Sequence, residues 1–118
     1  MSRWIGQTGE QVVVQYAVAR GWQVLACNWH CRWGELDIVA HGEQGLVFIE
    51  VKTRKADNWD EQGLLAIDQH KQEKLIKSAQ AFLQANPALS DLPCRFDVAL
   101  VQTPAYQIQY LEGAFTLS

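Results

Sequence analysis

The sequence contains no long hydrophobic run, no surplus of positive charge and no framework of paired cysteines. No apolar stretch approaches the roughly 20 residues of a membrane-spanning helix, and residues 1–7 lack the apolar core of a signal peptide. We therefore expect a cytoplasmic protein without a membrane partner. The three cysteines show no framework spacing and fit reduced thiols in that compartment.

The net charge of −3 argues against binding of nucleic acid by bulk charge alone, so a polyanionic partner would require a local basic surface. Cys27, His30 and Cys31 suggest zinc ligands, but a fourth ligand at finger-like spacing is missing, which favours ordinary strand residues. A chain of 118 residues, of which 48% are hydrophobic, has the size of one domain with one core. We expect a single domain over residues 1–118.

Hydrophobic periodicity predicts the order helix, three strands, helix, strand, strand. The predicted helices cover residues 8–20 and 69–85, and the predicted strands cover residues 22–29, 36–41, 46–53, 95–101 and 106–111. The second and third strands form an antiparallel hairpin, while the helix after the third strand makes a right-handed crossover to a parallel fourth strand. The fold class is therefore α/β, with a mixed sheet flanked by helices. The polar segment 55–63 is predicted to be a loop.

The strand over residues 46–53 places two charged side chains among branched and aromatic residues. It is apolar from Leu46 to Val51 except at Glu50, which is typical of a strand covered on both faces. Because side chains alternate along a strand, Glu50 and Lys52 share one face. Burying such charges costs several kcal/mol, so the pair persists only with good partners or a bound metal. By itself Glu-x-Lys is a weak signal, and a solvated ion pair is the ordinary alternative.

A second carboxylate, Asp37, lies on the opposite arm of the hairpin. Bringing Asp37 near Glu50 without a cation would place two like charges in a poorly solvated position. Mg²⁺ prefers carboxylate and carbonyl oxygens, and Asp37, Glu50 and the carbonyl of Val51 could supply them. Lys52 would then face metal-bound water and a substrate phosphate, which implies phosphodiester hydrolysis. Glu10 is a third candidate acid, with interaction with the helix dipole as its alternative role.

Glu10, Asp37 and Glu50-Val51-Lys52, in that order on helix, strand and strand, resemble the PD-(D/E)XK nuclease superfamily and its archaeal Holliday-junction-resolvase branch. The chain resembles the small bacterial YraN-like family still more closely, from Gly9 to about Val101. The residues that carry this resemblance are Gly9-Glu10, Asn28, Gly34-Glu35-Leu36-Asp37-Ile38-Val39-Ala40, Val47-Phe48-Ile49-Glu50-Val51-Lys52-Thr53-Arg54, Lys71 and Arg95-Phe96-Asp97-Val98. The proline that names the superfamily is absent, since Leu36 precedes Asp37, as in the resolvase-like branch.

The resemblance implies a restriction-endonuclease-like three-layer core and a Mg²⁺-dependent endonuclease, with Mn²⁺ as a substitute, acting on DNA that includes branched or junction DNA. It implies that Asp37 and Glu50 are metal ligands, that Lys52 is the catalytic lysine, and that Glu10 is an outer ligand reached directly or through water. The same scaffold can bind without cutting, so the alternative is a non-catalytic nucleic-acid-binding or protein-interaction module. A homodimer is plausible, because cutting both strands of a symmetric junction needs two sites.

Basic side chains near these residues are candidates for phosphate contacts. Arg54 and Lys55 follow the proposed site directly, and Lys71, Lys74 and Lys77 recur three apart on the second helix. The ordinary alternative for the lysine ridge is a solvated helix face, and the stem of Lys71 could instead cover the sheet. Arg95 and Asp97 carry part of the family resemblance, but they could equally form an ordinary ion pair.

Overall fold

The computed structural model describes residues 8–55 and 67–115. The elements are, in chain order, α1 (Gly9–Ala19), β1 (Gln23–Cys31), β2 (Gly34–His41), β3 (Leu46–Lys55), α2 (Gln69–Ala85), a 3₁₀ turn (Pro87–Leu89), β4 (Cys94–Thr103) and β5 (Gln107–Phe115). This order confirms the predicted sequence of helices and strands. No helix within the described ranges has the length and apolar composition needed to cross a membrane.

Capping residues define where each helix begins. The Thr8 hydroxyl accepts the N–H of Gln11 at 3.1 Å and the Gln11 side chain accepts the N–H of Thr8 at 3.0 Å, which is a complete capping box for α1. Gly21, just past α1, has a φ of 85°, the left-handed conformation that favours glycine after a helix. Asp68 caps α2 by accepting the N–H of Lys71 at 2.8 Å.

The strands form one sheet in the order β1-β2-β3-β4-β5. Strands β3 and β4 are parallel, whereas the other neighbouring pairs are antiparallel. A parallel pair requires a long crossover connection, and α2 lies within this one. The predicted mixed sheet is therefore confirmed, and β5 lies at the edge of the sheet as expected.

The end of β3 differs from the prediction. Lys55 was expected to begin a loop, but it is the last residue of β3 and pairs with Thr103 of β4. The prediction was wrong because the exposed polar end of the strand shows no hydrophobic periodicity, although its main chain remains hydrogen-bonded to a parallel neighbour. The rest of the predicted loop, 56–63, lies outside the described residues.

The two helices pack on opposite faces of the sheet. The hydrophobic cluster on the α1 face consists of Val13, Ala17, Trp22, Ile38, Ala40, Val47, Ile49, Ala99 and Val101. The cluster on the α2 face consists of Leu36, Val39, Leu46, Phe48, Leu75, Ala79, Phe82 and Phe96. Consecutive residues of β3 alternate between the two clusters, so the strand is covered on both faces. Helix, sheet and helix form the three layers of the predicted fold class.

A buried carboxylate joins β4 to the edge strand. Asp97, which is 1% exposed, accepts hydrogen bonds from Nε of Arg95 at 3.1 Å, from the hydroxyl of Tyr110 and from the N–H of Gly113 at 2.8 Å. Burial and the hydrogen bond to Asp97 raise the pKa of Tyr110 above its usual range. These contacts lie where the register between β4 and β5 shifts, so the ion pair of Arg95 and Asp97 is structural.

The first turn of α1 packs directly on β3. Gly9 is buried, and a Cβ at this position would overlap the hydroxyl of Thr53. Glycine therefore permits a close approach that no other residue allows without a shift of the helix. The same approach determines where the next residue, Glu10, stands relative to the sheet.

We expect Gly9→Ala to destabilise the protein by roughly 1–3 kcal/mol, because the added methyl group overfills the contact with Thr53. Thr53→Ala removes the hydroxyl that the methyl group would meet, so the double variant should recover much of the loss. Thermal melts of the wild type, the two single variants and the double variant measure this coupling. If Gly9→Ala lowers the melting temperature by the same amount in the Thr53→Ala background as in the wild type, the added methyl group does not meet the Thr53 hydroxyl.

Candidate active site

The two predicted carboxylates lie where β2 and β3 separate. Pairing between these strands ends at Ile38 and Ile49, whereas β3 remains paired with β4 along its whole length. Asp37 and Glu50 are the next residues on the two strands beyond the last pair. Each of them therefore stands at the mouth of the gap that opens between β2 and β3.

Strands β1 and β2 are both irregular at this level. Leu36 and Val39 are three residues apart yet pack in the same cluster on the α2 face, so the alternation of β2 is interrupted at or beside Asp37. On β1, Asn28 occupies the position opposite Asp37 and has a φ of 52°. Asparagine tolerates this left-handed conformation better than most residues, and such departures cluster at functional sites. The alternation of apolar and polar residues in the sequence did not predict the interruption at Asp37 or the positive φ of Asn28.

The main chain of Val51 lines part of the gap. Its N–H donates to Oδ2 of Asp37 at 2.9 Å. The N–H and the C=O of one strand residue point toward the same neighbouring strand, so the carbonyl of Val51 faces the gap as well. Asp37, Glu50 and this carbonyl form the kind of oxygen-rich set that Mg²⁺ prefers.

The environment of Asp37 favours its protonated form. Burial, and to a smaller extent the charges of Glu50, Glu10 and Glu35, raise the pKa of Asp37 to about 7 although the hydrogen bond from Val51 opposes the increase. Glu10 is half-buried in the first turn of α1, and its charge contributes to the raised pKa of Asp37. The structure thus brings all three predicted acids into one electrostatic neighbourhood.

The three acids do not form a ready-made ligand cluster. Within residues 8–55 and 67–115, no group of three or more His, Cys, Asp or Glu side chains is positioned to hold a metal ion. A cation here would take its protein ligands from Asp37, Glu50 and the carbonyl of Val51, with water in the remaining positions. Mg²⁺ commonly binds through one or two carboxylates and keeps several waters. Glu10 would then act from outside, through water.

Glu50 has a partner that the sequence did not predict. Its side chain is 13% exposed, and its Oε2 lies 3.2 Å from Nζ of Lys71, whose side chain is 49% exposed. Lys71 lies in the first turn of α2, so its ammonium reaches from the helix to the strand. The carboxylate of Glu50 is therefore paired with a positive charge. The sequence predicted a phosphate contact for Lys71 and gave no signal for this contact.

Lys52 is held on the same strand as Glu50, two residues further on. Burial lowers the pKa of Lys52, the charge of Arg54 adds to this effect, and the charge of Glu50 opposes it. A lysine with a lowered pKa releases its proton more readily than an exposed one, and a larger fraction of it is the neutral amine that can accept a proton. Lys52 thus has the electrostatic setting expected of a group that assists deprotonation.

The remaining predicted basic residues lie at the end of β3 and along α2. Arg54 and Lys55 are exposed on the last residues of β3, and the Arg54 guanidinium donates to the Thr53 carbonyl at 2.8 Å. Lys74 is exposed on α2, one turn beyond Lys71. The ammonium of Lys77 lies over the ring of Trp33, at the turn between β1 and β2.

Comparisons with known proteins identify relatives over almost the whole chain. The profile described as "Uncharacterised protein family UPF0102" matches residues 9–101. A UPF0102 protein of Thermosynechococcus vestitus is 53% identical, with 98% of this chain and 96% of the relative covered. A UPF0102 protein of Synechococcus sp. (strain JA-3-3Ab) is 52% identical, with coverage of 96% and 92%. A UPF0102 protein of Saccharophagus degradans is 39% identical, with coverage of 96% and 93%.

Asp37→Asn is expected to raise the melting temperature of the metal-free protein near pH 8, because it removes a like charge and keeps nearly the same shape. The folded carboxyl holds its proton to about pH 7, whereas the unfolded one loses it at about pH 3.9. Wild-type stability from this group therefore falls as pH rises between these values. The advantage of the variant should vanish toward pH 4. Melts in EDTA across this range measure it.

Metal supplies the control for this variant. Excess Mg²⁺ or Mn²⁺ should raise the melting temperature of the wild type but not of Asp37→Asn, since binding stabilises only a state that retains its ligands. The rise should grow as pH increases through about 7, because the ligand must lose its proton. A lower melting point for the metal-free variant near pH 8 would instead identify Asp37 as the partner of a buried cation, at a cost of roughly 3–5 kcal/mol.

Proposed function

The chain belongs to the UPF0102 family, whose description names no activity, and we propose from its site that it is a divalent-metal-dependent endonuclease that hydrolyses phosphodiester bonds in DNA. The observation that carries the proposal is the pair of partly buried carboxylates, Asp37 and Glu50, beside the carbonyl of Val51. Two acids at one poorly solvated position favour a divalent cation. The resemblance of Asp37 and Glu50-Val51-Lys52 to the PD-(D/E)XK superfamily supports the same reaction.

Asp37, Glu50 and the Val51 carbonyl would hold Mg²⁺ or Mn²⁺, and Glu10 would act through water. When bound, the metal supplies Lewis acidity at a phosphoryl oxygen and lowers the pKa of water. Lys52 is suited to accept the proton of the attacking water, because burial lowers the pKa of its ammonium. Lys71, which is paired with Glu50, would be close enough to contact a phosphate if Glu50 held a metal instead.

Exposed basic residues provide the proposed contacts to the DNA backbone. Arg54 and Lys55 continue β3 beyond the site, and Lys71, Lys74 and Lys77 follow α2. Because the whole chain has a net charge of −3, binding depends on this local arrangement. Action on branched DNA and assembly into a homodimer are proposed from the resemblance to resolvases alone. A cytoplasmic location is also proposed, and it accords with the free Cys27, Cys31 and Cys94.

A non-catalytic DNA-binding module is the second candidate, and one contact favours it. The ammonium of Lys71 lies 3.2 Å from Glu50, so this carboxylate has a compensating charge without a metal. A module of this kind would bind DNA equally well after Asp37→Asn or Lys52→Ala. It would show no cleavage in Mg²⁺ or Mn²⁺.

Lys52→Ala is expected to lower the rate of DNA cleavage by about 10²–10⁴-fold at saturating enzyme, because it removes the proposed proton acceptor. Labelled duplex, single-stranded and four-way-junction DNA, incubated with Mg²⁺, Mn²⁺ or EDTA, provide the assay. Lys74→Ala removes an equivalent charge farther along α2, so it should weaken binding and leave the saturated rate unchanged. Cleavage by Lys52→Ala at the wild-type rate would refute the catalytic proposal, and tight binding without any cleavage would support the second candidate.

Replacing Lys71, Lys74 and Lys77 together by Gln should weaken DNA binding and flatten its dependence on salt by up to about three ion-release units. The physical reason is that each phosphate neutralised by a lysine releases condensed counterions. Affinity measured across a series of salt concentrations in EDTA gives the slope. The triple change to Arg keeps the positive charge, so it should keep the wild-type dependence of affinity on salt. If the Gln variant also keeps that dependence, the three lysines form a solvated helix face and do not contact DNA.

A further inference from the structure

The turn between β1 and β2 exposes a tryptophan. Within the described residues, the large hydrophobic side chains that are exposed are Val18, Trp33 and Leu111, and Trp33 is the only aromatic one among them. It is 37% exposed, whereas Trp29 on the preceding strand packs edge-on against Phe82 with ring centroids 5.3 Å apart. Trp33 therefore takes no part in the hydrophobic clusters that hold the fold together.

Two cations surround the Trp33 ring. Cζ of Arg32 lies 4.6 Å from the ring centroid, and Nζ of Lys77 lies 4.7 Å from it. Exposed cation–π contacts are weaker than the stacking of a nucleic-acid base on an aromatic ring. A base could therefore displace one of these cations from the ring, and the displaced cation would remain close enough to contact a neighbouring phosphate.

Helix α2 connects this ring to the carboxylates. Lys71 contacts Glu50, Lys77 contacts Trp33, and the two lysines are six residues apart on one helix. At a rise of about 1.5 Å per residue, they are separated by about 9 Å along the helix axis. This distance corresponds to at most about three nucleotide steps at the duplex rise of about 3.4 Å, and to fewer steps if the strand is unpaired and more extended. A DNA strand with a phosphate at the carboxylates can thus bring a nearby base to Trp33.

The part of this surface next to Trp33 is basic although the chain is acidic overall, with a net charge of −3. The carboxylates nearby are Glu35 and Glu73, together with Asp68 and Glu50 at the first turn of α2, where Glu50 is paired with Lys71. The acid nearer to the turn, Glu35, lies 3.9 Å from Nε2 of His30. The cationic residues are Arg32, Lys71, Lys74 and Lys77. Because both side chains in contact with the Trp33 ring are cations, charge complementarity favours an anionic partner such as a phosphate backbone over a basic or apolar protein surface.

We propose that Trp33 stacks on an unpaired base within about three nucleotides of the phosphate at the carboxylates, and so selects DNA that contains a single-stranded segment. Bases inside a duplex are covered on both faces by their neighbours, so only an unpaired base offers a free face to the ring. The position of the scissile phosphate rests on the proposed nuclease function. The stacking contact itself does not require cleavage.

The test compares binding of three fluorescently labelled probes in EDTA: single-stranded DNA, a continuous duplex, and a duplex with a single-stranded flap. Trp33→Ala is expected to weaken binding of the single-stranded and flapped probes by about tenfold, and binding of the duplex by less than about twofold. Trp33→Phe keeps an aromatic face and should retain most of the affinity. Leu111→Ala removes another exposed hydrophobic side chain, on the edge strand β5, and should change none of the three affinities.

Each outcome separates this proposal from the nuclease proposal. Equal affinities of wild type and Trp33→Ala for all probes, or an equal loss on duplex and single-stranded DNA, overturn the stacking contact even if Lys52-dependent cleavage is found. A selective loss on unpaired DNA supports it even if no cleavage is found. Trp33→Leu keeps an apolar side chain without a π face and should behave as Trp33→Ala does, which preserves the test if the alanine variant melts at a lower temperature.

Discussion

The hydrogen bond from the Val51 N–H to Asp37 organises the site, because it replaces a bond that an uninterrupted sheet would make between β3 and β2. Strand β3 stays paired with β4 along its length, so it continues as a strand beyond the last pair with β2. The freed N–H takes a side-chain carboxylate as its acceptor at 2.9 Å. The carbonyl of the same residue then faces the gap beside Asp37 and Glu50. The gap between β2 and β3 is thereby lined by oxygen atoms of Asp37, Glu50 and the Val51 carbonyl.

This concentration of negative charge has to be compensated in the metal-free protein, and two different groups compensate it. Asp37 retains a proton to about pH 7, chiefly because it is buried, and Glu50 is paired with the ammonium of Lys71. Below about pH 7, a proton on Asp37 and the ammonium of Lys71 together supply up to two positive charges, which is the charge of one Mg²⁺. Under the proposed function, a bound metal would take the place of these charges, and its binding would release a proton from Asp37.

Much of this fold could be predicted because local signals agreed with one another. Thr8, Gly21 and Asp68 mark helix ends through hydrogen bonds that involve near neighbours in sequence, and the hairpin register brings Asp37 opposite Glu50. The contact between Lys71 and Glu50 could not be predicted, since it depends on how a crossover connection places α2 over the sheet. The left-handed backbone conformation of Asn28 could not be predicted either, because asparagine tolerates this conformation but does not require it. At Lys55 the polar sequence predicts a loop, but pairing with β4 extends the strand to this residue.

Helix α2 gives the proposed DNA surface its geometry. Its first turn reaches Glu50 through Lys71, and its middle reaches Trp33 through Lys77. Buried Leu75, Ala79 and Phe82 pack the helix against the sheet, so the axial spacing between Lys71 and Lys77 is set by helical rise. An unpaired base and a phosphate held at such a fixed spacing must come from the same short stretch of strand. Under the two proposals, selection of branched or flapped DNA would therefore follow from the packing of one helix, without any contact that identifies a base.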